Sequence, residues 1–207
     1  MSEIQVETKG YHCVDNAIVY DLTECMIAAG YPMRTSTQDL LTSPLDTKDI
    51  DRASKLSKAT LKGNQAHDQF LTGIRVSFDL RCSNKMWVEA ERYRFLEFVS
   101  SQSTMHRITK FNIRDQYNKY VDPRIIDIME EKVNAYNAQE NPTAEQYLEI
   151  LYSNPAGFEL TARMTTNYRC LKNIYKQRKD HRLPEWREFC AWIETLPFAH
   201  ELILCDI

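Results

Sequence analysis

The chain has 207 residues, of which 43% are hydrophobic and 27% charged, and its formal net charge is −3. The composition is typical of a globular protein, and the length allows one substantial core or at most two small ones. The small negative charge gives no global attraction to nucleic acid or to an anionic membrane, and no apolar run approaches the ~20 residues that span a bilayer. The first ten residues, MSEIQVETKG, have neither the basic nor the apolar segment of a secretory signal, so a cytoplasmic location is expected.

Cysteine and glycine usage excludes several kinds of site. None of the six cysteines forms a CxxC pair, which disfavours a metal site and fits a reducing compartment. With only five glycines, the chain lacks GxGxxG and GxxxxGK[ST], so Rossmann and P-loop nucleotide sites are disfavoured. The cysteines are expected to be small buried hydrophobes: Cys13, Cys25, Cys82, Cys170, Cys190 and Cys205.

The first part of the chain carries mostly helical spacing. Apolar residues three and four apart predict a helix that Gly30 and Pro32 end. The elements predicted here are a helix at 14–29, a loop at 35–47, a helix at 48–61 and a turn at 63–70.

The clearest strand pattern lies at 73–80, GIRVSFDL. Its apolar residues alternate with Arg75, Ser77 and Asp79, which predicts a strand that is buried on one face only. Further on, helical spacing returns at 84–98, 123–138, from Thr143 onward, 159–181 and 184–196, and residues 108–121 have no assignable pattern. The whole is predicted to be an α+β protein, mostly helical, in a single domain covering residues 1–207.

The stretch 92–107, RYRFLEFVSSQSTMHR, places two arginines before a run of hydroxyls and amides. Guanidinium groups bind phosphate bidentately and serine hydroxyls fill its remaining lone pairs, so this stretch is a plausible phosphate cradle. The alternative is a helix C-terminus with cations near its carbonyl groups. Both interpretations stay open.

Arg178 is the cation that the helical pattern directs towards the interior. It shares a face with Leu171 and Ile174, whereas Lys172, Lys176 and Lys179 cluster roughly opposite and are expected to be solvated. A buried cation is costly without an anion, which here is either a carboxylate of the chain or a ligand phosphate.

The predicted helix at 84–98 also carries a cation on an apolar face. Arg94 shares that face with Trp87 and Phe98, and Glu91 lies one turn away, so Glu91 and Arg94 could simply pair with each other.

These pieces resemble two motifs of the flavin-dependent thymidylate synthases, the family that methylates dUMP using FAD. The first motif, RHRxxSxNExSxRY, resembles Arg92–Tyr93–Arg94 followed by the serine-rich run and then His106 and Arg107. The second, NxRxLxHxxxxR, resembles NYRCLKNIYKQR, which supplies Asn167, Arg169, Leu171, Asn173 and Arg178 at matching spacing. Tyr93 replaces a histidine, the NE pair is missing, and the spacing to the closing arginine differs by three. These departures are typical of a divergent, phage-like or prophage-like member.

The resemblance implies a thymidylate-synthase-like fold, with helices packed on a small, mostly antiparallel sheet. It implies an N-terminal helical segment at 1–62, a core at about 63–190, and a homotetramer whose flavin sites are shared between subunits. The implied cofactor-binding residues are Arg92, Tyr93, Arg94, Asn167 and Asn173. The implied nucleotide-binding residues are Ser101, Gln102, Ser103, Arg107 and Arg178, and Arg163 is the candidate for a further phosphate contact. No catalytic residue and no metal are assigned.

Three functions remain open. The first is flavin-dependent methyl transfer to a deoxyuridine-type nucleotide, with FAD as cofactor and methylenetetrahydrofolate and NADPH as co-substrates. The second is a non-catalytic nucleotide-binding protein on the same scaffold. The third is a helical protein–protein interaction module, which leaves Arg178 unexplained. For the first two functions, the expected binding partner is a small-molecule nucleotide. Nucleic acid is disfavoured because the basic stretch 176–182 has only Tyr175 for stacking.

Overall fold

The computed structural model describes residues 2–61 and 67–204, so residues 63–66 of the predicted turn and Cys205 lie outside the described residues. The protein is α+β, as predicted, with an open antiparallel sheet of order β1-β2-β3-β5-β4. The strands are β1 (Glu3–Gln5), β2 (Val14–Tyr20), β3 (Arg75–Ser83), β4 (Glu97–Ser101) and β5 (Glu159–Asn167). The helices are α1 (Leu22–Ala28), α2 (Thr47–Leu61), α3 (Asn84–Ala90), α4 (Thr104–Arg107), α5 (Pro123–Asn137), α6 (Ala144–Ser153), α7 (Tyr168–Arg178) and α8 (Pro184–Ile193).

The chain divides into two compact units. The first comprises Met1–Leu80, Tyr93–Val99 and Arg163–Ile207, and the second comprises Arg81–Arg92 and Ser100–Ala162. The single domain expected from the sequence stays a prediction. No helix in the described part of the chain is both long and apolar enough to cross a membrane.

The first unit has an aromatic core. Phe78 of β3 packs its ring 5.0 Å from that of Trp192 and 5.6 Å from that of Phe189, both on α8. The alternation predicted for this strand is confirmed, because Val76, Phe78 and Leu80 are buried while Arg75 is exposed. Burial of these side chains supplies most of the favourable free energy of folding here.

The second unit is built around Phe158, which is fully buried and meets the rings of Phe111 and Tyr117 edge-on. The predicted helix starts in this unit are confirmed. Asp122 caps α5 by accepting a hydrogen bond from Arg124 N, and Pro123 fills the first helical position. Thr143 and Gln146 form a reciprocal capping box at the start of α6.

The helix predicted for 14–29 is wrong over its first half, where the chain forms β2. The segment 1–62, expected to be helical, contains β1 and β2 as well as α1 and α2. β2 pairs with β1 and β3 antiparallel, with a register shift between Asp15 and Ile18. This bulge places the buried Val14 and Ala17 three residues apart, which imitates helical spacing.

Two other predicted helices begin or end as strands. The helix predicted at 84–98 stops at Ala90, and β4 follows with all five residues exposed, so the expected shared face of Trp87, Arg94 and Phe98 does not exist. The helix predicted at 159–181 starts only at Tyr168, after β5. The inward positions of β5 include Ala162 and Thr166, whose small or polar side chains give little hydrophobic signal for a strand.

Candidate functional site

The two sequence motifs meet at Tyr93 and Arg178 in the first unit. Arg178 Nε donates a hydrogen bond of 2.8 Å to the Tyr93 hydroxyl, which in turn donates to Gln177 Oε1 at 2.9 Å. The guanidinium lies 4.9 Å from the ring centroid of Trp186 and 5.6 Å from that of Tyr93. Cation–π contact of this kind stabilises a partly desolvated cation. Arg178 is therefore held in one orientation at the end of α7.

Arg178 also contacts His181, whose Nε2 lies 2.9 Å from Arg178 Nη1. The guanidinium is half-buried, which agrees with the inward direction expected from the helical pattern. Trp186, beneath it, is fully buried, and its ring meets the Tyr93 ring edge-on at 5.8 Å. An aromatic floor and a fixed cation make this corner suited to binding an anion on the solvent side of the guanidinium.

Asn167 and Asn173 have different environments on α7. Asn167 caps the helix, accepting a hydrogen bond of 2.9 Å from Cys170 N, whereas Asn173 is exposed. Asn167 and Arg178 are separated by eleven helical steps, or ~16 Å at 1.5 Å per residue. A ligand system that touches both must be extended, or must consist of two molecules side by side.

The two arginines that open the first motif are exposed to solvent. Arg92 is exposed in the second unit, and Arg94 is exposed in the first unit with its guanidinium 5.6 Å from the Phe95 ring. Because α3 ends at Ala90, the helical turn that would pair Glu91 with Arg94 is absent from the structure.

The predicted nucleotide-binding run lies in the second unit. Gln102 pairs with Thr161 twice: its backbone N donates to Thr161 O, and its side-chain Oε1 accepts from Thr161 N, both at 2.9 Å. Ser101 ends β4 and Ser103 precedes α4 without a side-chain capping bond. Arg107, the last residue of α4, is exposed. Their roles in nucleotide binding remain proposals.

A cleft of about 540 Å³ lies in the first unit, over the polar face of the sheet. The hydrogen bond from Tyr168 N to Ile74 O and the ion pair of Arg163 with Asp79 set the register of β3 against β5. In that register Arg75 lies opposite Asn167, and Ser77 lies opposite Thr165. The lining residues are Tyr20, Thr72, Arg75, Ser77, Phe95, Glu97, Thr165, Thr166 and Asn167. Such a volume is within the ~300–1,000 Å³ of small-molecule sites.

The cation of this cleft is Arg75, which sequence reasoning placed on the polar face of its strand but did not assign to a site. Arg75 Nη2 lies 3.1 Å from Asp21 Oδ2, and the guanidinium stands 5.8 Å from the centroid of its register partner Tyr20. The alternation of β3 was the only available signal. The position of Arg75 opposite Asn167 depends on the pairing of β3 with β5, which are distant in the sequence.

Arg163, the sequence candidate for a further phosphate contact, is engaged elsewhere. Its Nη1 donates to Asn16 O at 2.8 Å and to Asp79 Oδ1 at 3.2 Å. Asn16 has a positive φ of 49° inside the β2 bulge, so this arginine supports an irregular part of the sheet.

Lys172 is buried, contrary to the expectation that it is solvated. Its side chain is 5% exposed, and Nζ donates to Ser57 O at 2.7 Å and Ser57 Oγ at 2.9 Å. The carboxylate of Asp68 lies 3.3 Å from Lys172 Nζ and 3.2 Å from Arg169 Nε. α7 packs against the segment 200–204, and Lys172 reaches Ser57 of α2, which the local pattern cannot reveal.

Four of the five described cysteines have raised thiol pKa values, which disfavours nucleophilic chemistry at those four. Burial raises the pKa of the Cys190 thiol to about 12 and that of Cys25 to about 11, in both cases with added repulsion from neighbouring carboxylates. Burial likewise raises the pKa of Cys13 and Cys170. Across residues 2–61 and 67–204, no group of three or more His, Cys, Asp or Glu side chains is arranged to hold a metal ion.

Comparison with known proteins identifies the fold. No protein-family model and no curated protein sequence matches the chain. Thymidylate synthase X from Helicobacter pylori, solved with FAD and dUMP, matches with a TM-score of 0.62 at 16% identity, over 93% of this chain and 97% of that chain. A second structure of that flavin-dependent enzyme with the same ligands matches with a TM-score of 0.61 at 17% identity, over 100% and 99%.

A third solved structure is that of a methylase. It is the UMP/dUMP methylase PolB from Streptomyces cacaoi bound with 5-Br dUMP, which matches with a TM-score of 0.62 at 12% identity, over 91% of this chain and 92% of that chain. Identities this low are informative about the fold alone. The chain therefore has the fold of the flavin-dependent thymidylate synthases, as its two motifs predicted.

Proposed function

We propose that the protein binds FAD and a deoxyuridine-type nucleotide and transfers a one-carbon unit to the pyrimidine, as a thymidylate-synthase-like methyltransferase. The observation that carries this proposal is the contact of Tyr93 with Arg178, since it joins the two motifs on the fold of these enzymes. The fold and the motifs together predict the function better than either does alone, because one fold supports many functions.

Arg178 is proposed to bind the phosphate of the nucleotide. Its guanidinium is oriented by Tyr93 and by the Trp186 ring, so little side-chain entropy is lost when a phosphate binds. A fixed fork of N–H donors suits a phosphate better than a mobile lysine does. The neighbouring Lys176 is exposed on the same helix and has no such support.

The residues of the cleft fit a flavin in chemical type. Asn167 is proposed to bind it from the cleft, with Asn173, Tyr93 and Arg94 of the same unit as further contacts. For Arg92, which belongs to the second unit, flavin binding stays a prediction. The rings of Tyr20 and Phe95 line the same cleft and suit a planar heterocycle. When bound, FAD supplies the redox and one-carbon chemistry, while the chain's own residues bind, orient and exclude water.

A homotetramer is proposed as the active assembly. β4 lies at the edge of the sheet and all five of its residues are exposed, including Phe98 at 48% and Val99 at 61%. An exposed apolar edge strand is a site for pairing with another chain. In such an assembly, Ser101, Gln102, Ser103 and Arg107 are proposed to bind nucleotide in a site shared between subunits. The cytoplasmic location stays a prediction.

Nucleotide binding without catalysis is the second candidate. Two departures from the first motif favour it: Tyr93 stands in place of a histidine, and the NE pair is missing. The second motif, which includes Arg178, is kept.

The two candidates are separated by a turnover assay. Purified protein is incubated with FAD, dUMP, methylenetetrahydrofolate and NADPH, and formation of dTMP is followed chromatographically. Product in the wild type, lost in Arg178→Ala and kept in Lys176→Ala, supports the enzyme. Binding of dUMP without product supports the non-catalytic protein. Failure to bind either dUMP or FAD contradicts both.

A further inference from the structure

Arg75 is the best-placed cation of the cleft and has no role in either motif. It lies on the outward face of β3, between Tyr20 on β2 and Asn167 on β5. Its side chain is 56% exposed, so it is open to solvent at the cleft. Hydroxyl groups of Ser77, Thr72 and Thr165 line the same space. An arginine guanidinium with nearby hydroxyl groups is a common binding site for a phosphoryl group.

The partner of Arg75 in the structure is exchangeable. The ion pair with Asp21 has an N–O distance of 3.1 Å between side chains that are 56% and 25% exposed. Exposed pairs of this kind contribute little to stability. A phosphate that approaches Arg75 therefore competes with a weak ion pair.

Glu97 places a carboxylate at one border of the cleft. It lines the cleft from β4, which is separated from β3 by β5, so the two backbones are two strand spacings or ~10 Å apart. A carboxylate at that border repels a second anion and accepts hydrogen bonds from hydroxyl or N–H groups. The cleft is thus anionic at one side and cationic at the other.

We propose that Arg75 binds the phosphoryl group of a nucleotide in this cleft, with the hydroxyl-bearing or N–H-bearing part of that ligand towards Glu97. The ligand class is a phosphorylated nucleoside or flavin, and this assignment rests on the proposed function. Asp21 is the competitor that the phosphate displaces. The alternative is a purely structural pair of Arg75 with Asp21 near the start of α1.

Three variants test the proposal in the full-length protein. Arg75→Gln removes the cation, Asp21→Asn removes its competitor, and Arg34→Gln is the matched control. Arg34 lies in the same unit and also pairs with an aspartate, Asp49, but it does not line the cleft. Asparagine tolerates the positive φ of 60° at position 21. Circular dichroism and thermal unfolding check that each variant is folded.

Isothermal titration calorimetry then measures the Kd of FAD, dUMP and pyrophosphate, with riboflavin and deoxyuridine as unphosphorylated probes. We expect Arg75→Gln to weaken at least one phosphorylated probe tenfold or more and to change its unphosphorylated counterpart less than twofold. Asp21→Asn tightens the same probe severalfold, and Arg34→Gln changes it less than twofold. If Arg75→Gln and Arg34→Gln give equal Kd values for every phosphorylated probe, or if the wild type binds none of them, the assignment is overturned.

The outcomes also separate this inference from the proposed function. Binding of FAD and dUMP that is indifferent to Arg75 leaves the function standing and removes the role of Arg75. Binding of pyrophosphate that depends on Arg75, without any binding of FAD or dUMP, supports the anion site and contradicts the function.

Discussion

The Tyr93 hydroxyl accepts a 2.8 Å hydrogen bond from Nε of Arg178, across 85 residues of sequence. Tyr93 stands where the family motif has a histidine, and Arg178 closes the second motif. A tyrosine can both accept from the arginine and donate to Gln177, which it does at 2.9 Å. The tyrosine therefore holds the two motif segments of this chain in contact through its hydroxyl.

Tyr93→Phe removes this hydroxyl and leaves the ring against Trp186. We expect the free energy of unfolding to fall by about 1 kcal/mol, the usual net contribution of one hydrogen bond. Urea unfolding followed by tryptophan fluorescence measures it. Tyr152→Phe is the control, since Tyr152 is 84% exposed, and it should change stability by less than about 0.5 kcal/mol. Equal stabilities of the two variants would show that the contact contributes nothing.

Lys172→Met tests the buried ion network. The substitution keeps the aliphatic stem but leaves Asp68 and Ser57 without the ammonium group between them. We expect a loss of about 1–3 kcal/mol of unfolding free energy, the cost of leaving buried polar groups without one partner, because Arg169 still pairs with Asp68. Lys176→Met, on the exposed part of the same helix, should change it by less than about 0.5 kcal/mol. A similar small loss in both variants contradicts the network.

Stability is expected to fall as the pH rises above 9. Burial raises the pKa of Cys190 from 9.0 to about 12 and that of Cys25 from 9.0 to about 11, so the folded state keeps protons that the unfolded state releases. In that window the unfolded state binds fewer protons, and the unfolding free energy declines with increasing pH. Urea midpoints at pH 8, 9.5 and 10.5 measure the decline. Replacing both cysteines by alanine should reduce its slope; an unchanged slope removes these thiols as a cause.

The edge strand β4 provides a test of assembly. We expect the wild type to run at four times the chain mass in size-exclusion chromatography with light scattering. A double variant with Phe98→Ser and Val99→Ser should shift to a smaller species, because it removes the exposed apolar pair. The matched control is Tyr120→Ser, which removes an exposed aromatic ring elsewhere. A monomeric wild type would contradict the proposed tetramer.

Local signals predicted the helices whose ends are set by capping residues. Pro123 with Asp122 and Thr143 with Gln146 act within four residues, so the sequence contains the whole interaction. The strands depended on distant partners. A bulge in β2 disturbed its alternation, and β4 is exposed along its length, so neither presents a period of two.

The candidate site was predictable at its motif ends and not between them. Matching spacing drew attention to Asn167 and Arg178, and the helical pattern directed Arg178 inward. Arg75 became a site residue only through the register of β3 against β5, which joins segments about 90 residues apart. Lys172 was misassigned because α7 packs on two sides, and a helical wheel assumes one buried face.

We propose that flavin and nucleotide bind this protein together, with Arg178 at the nucleotide. The most direct test is the visible absorbance spectrum of the purified protein with added FAD, titrated with dUMP. We expect the flavin band of the wild type to shift with dUMP, and Arg178→Ala to need at least tenfold more dUMP for the same shift, a loss of about 1.4 kcal/mol. Lys176→Ala should behave as the wild type. A wild-type protein whose spectrum shows no bound flavin and no response to dUMP would contradict the account.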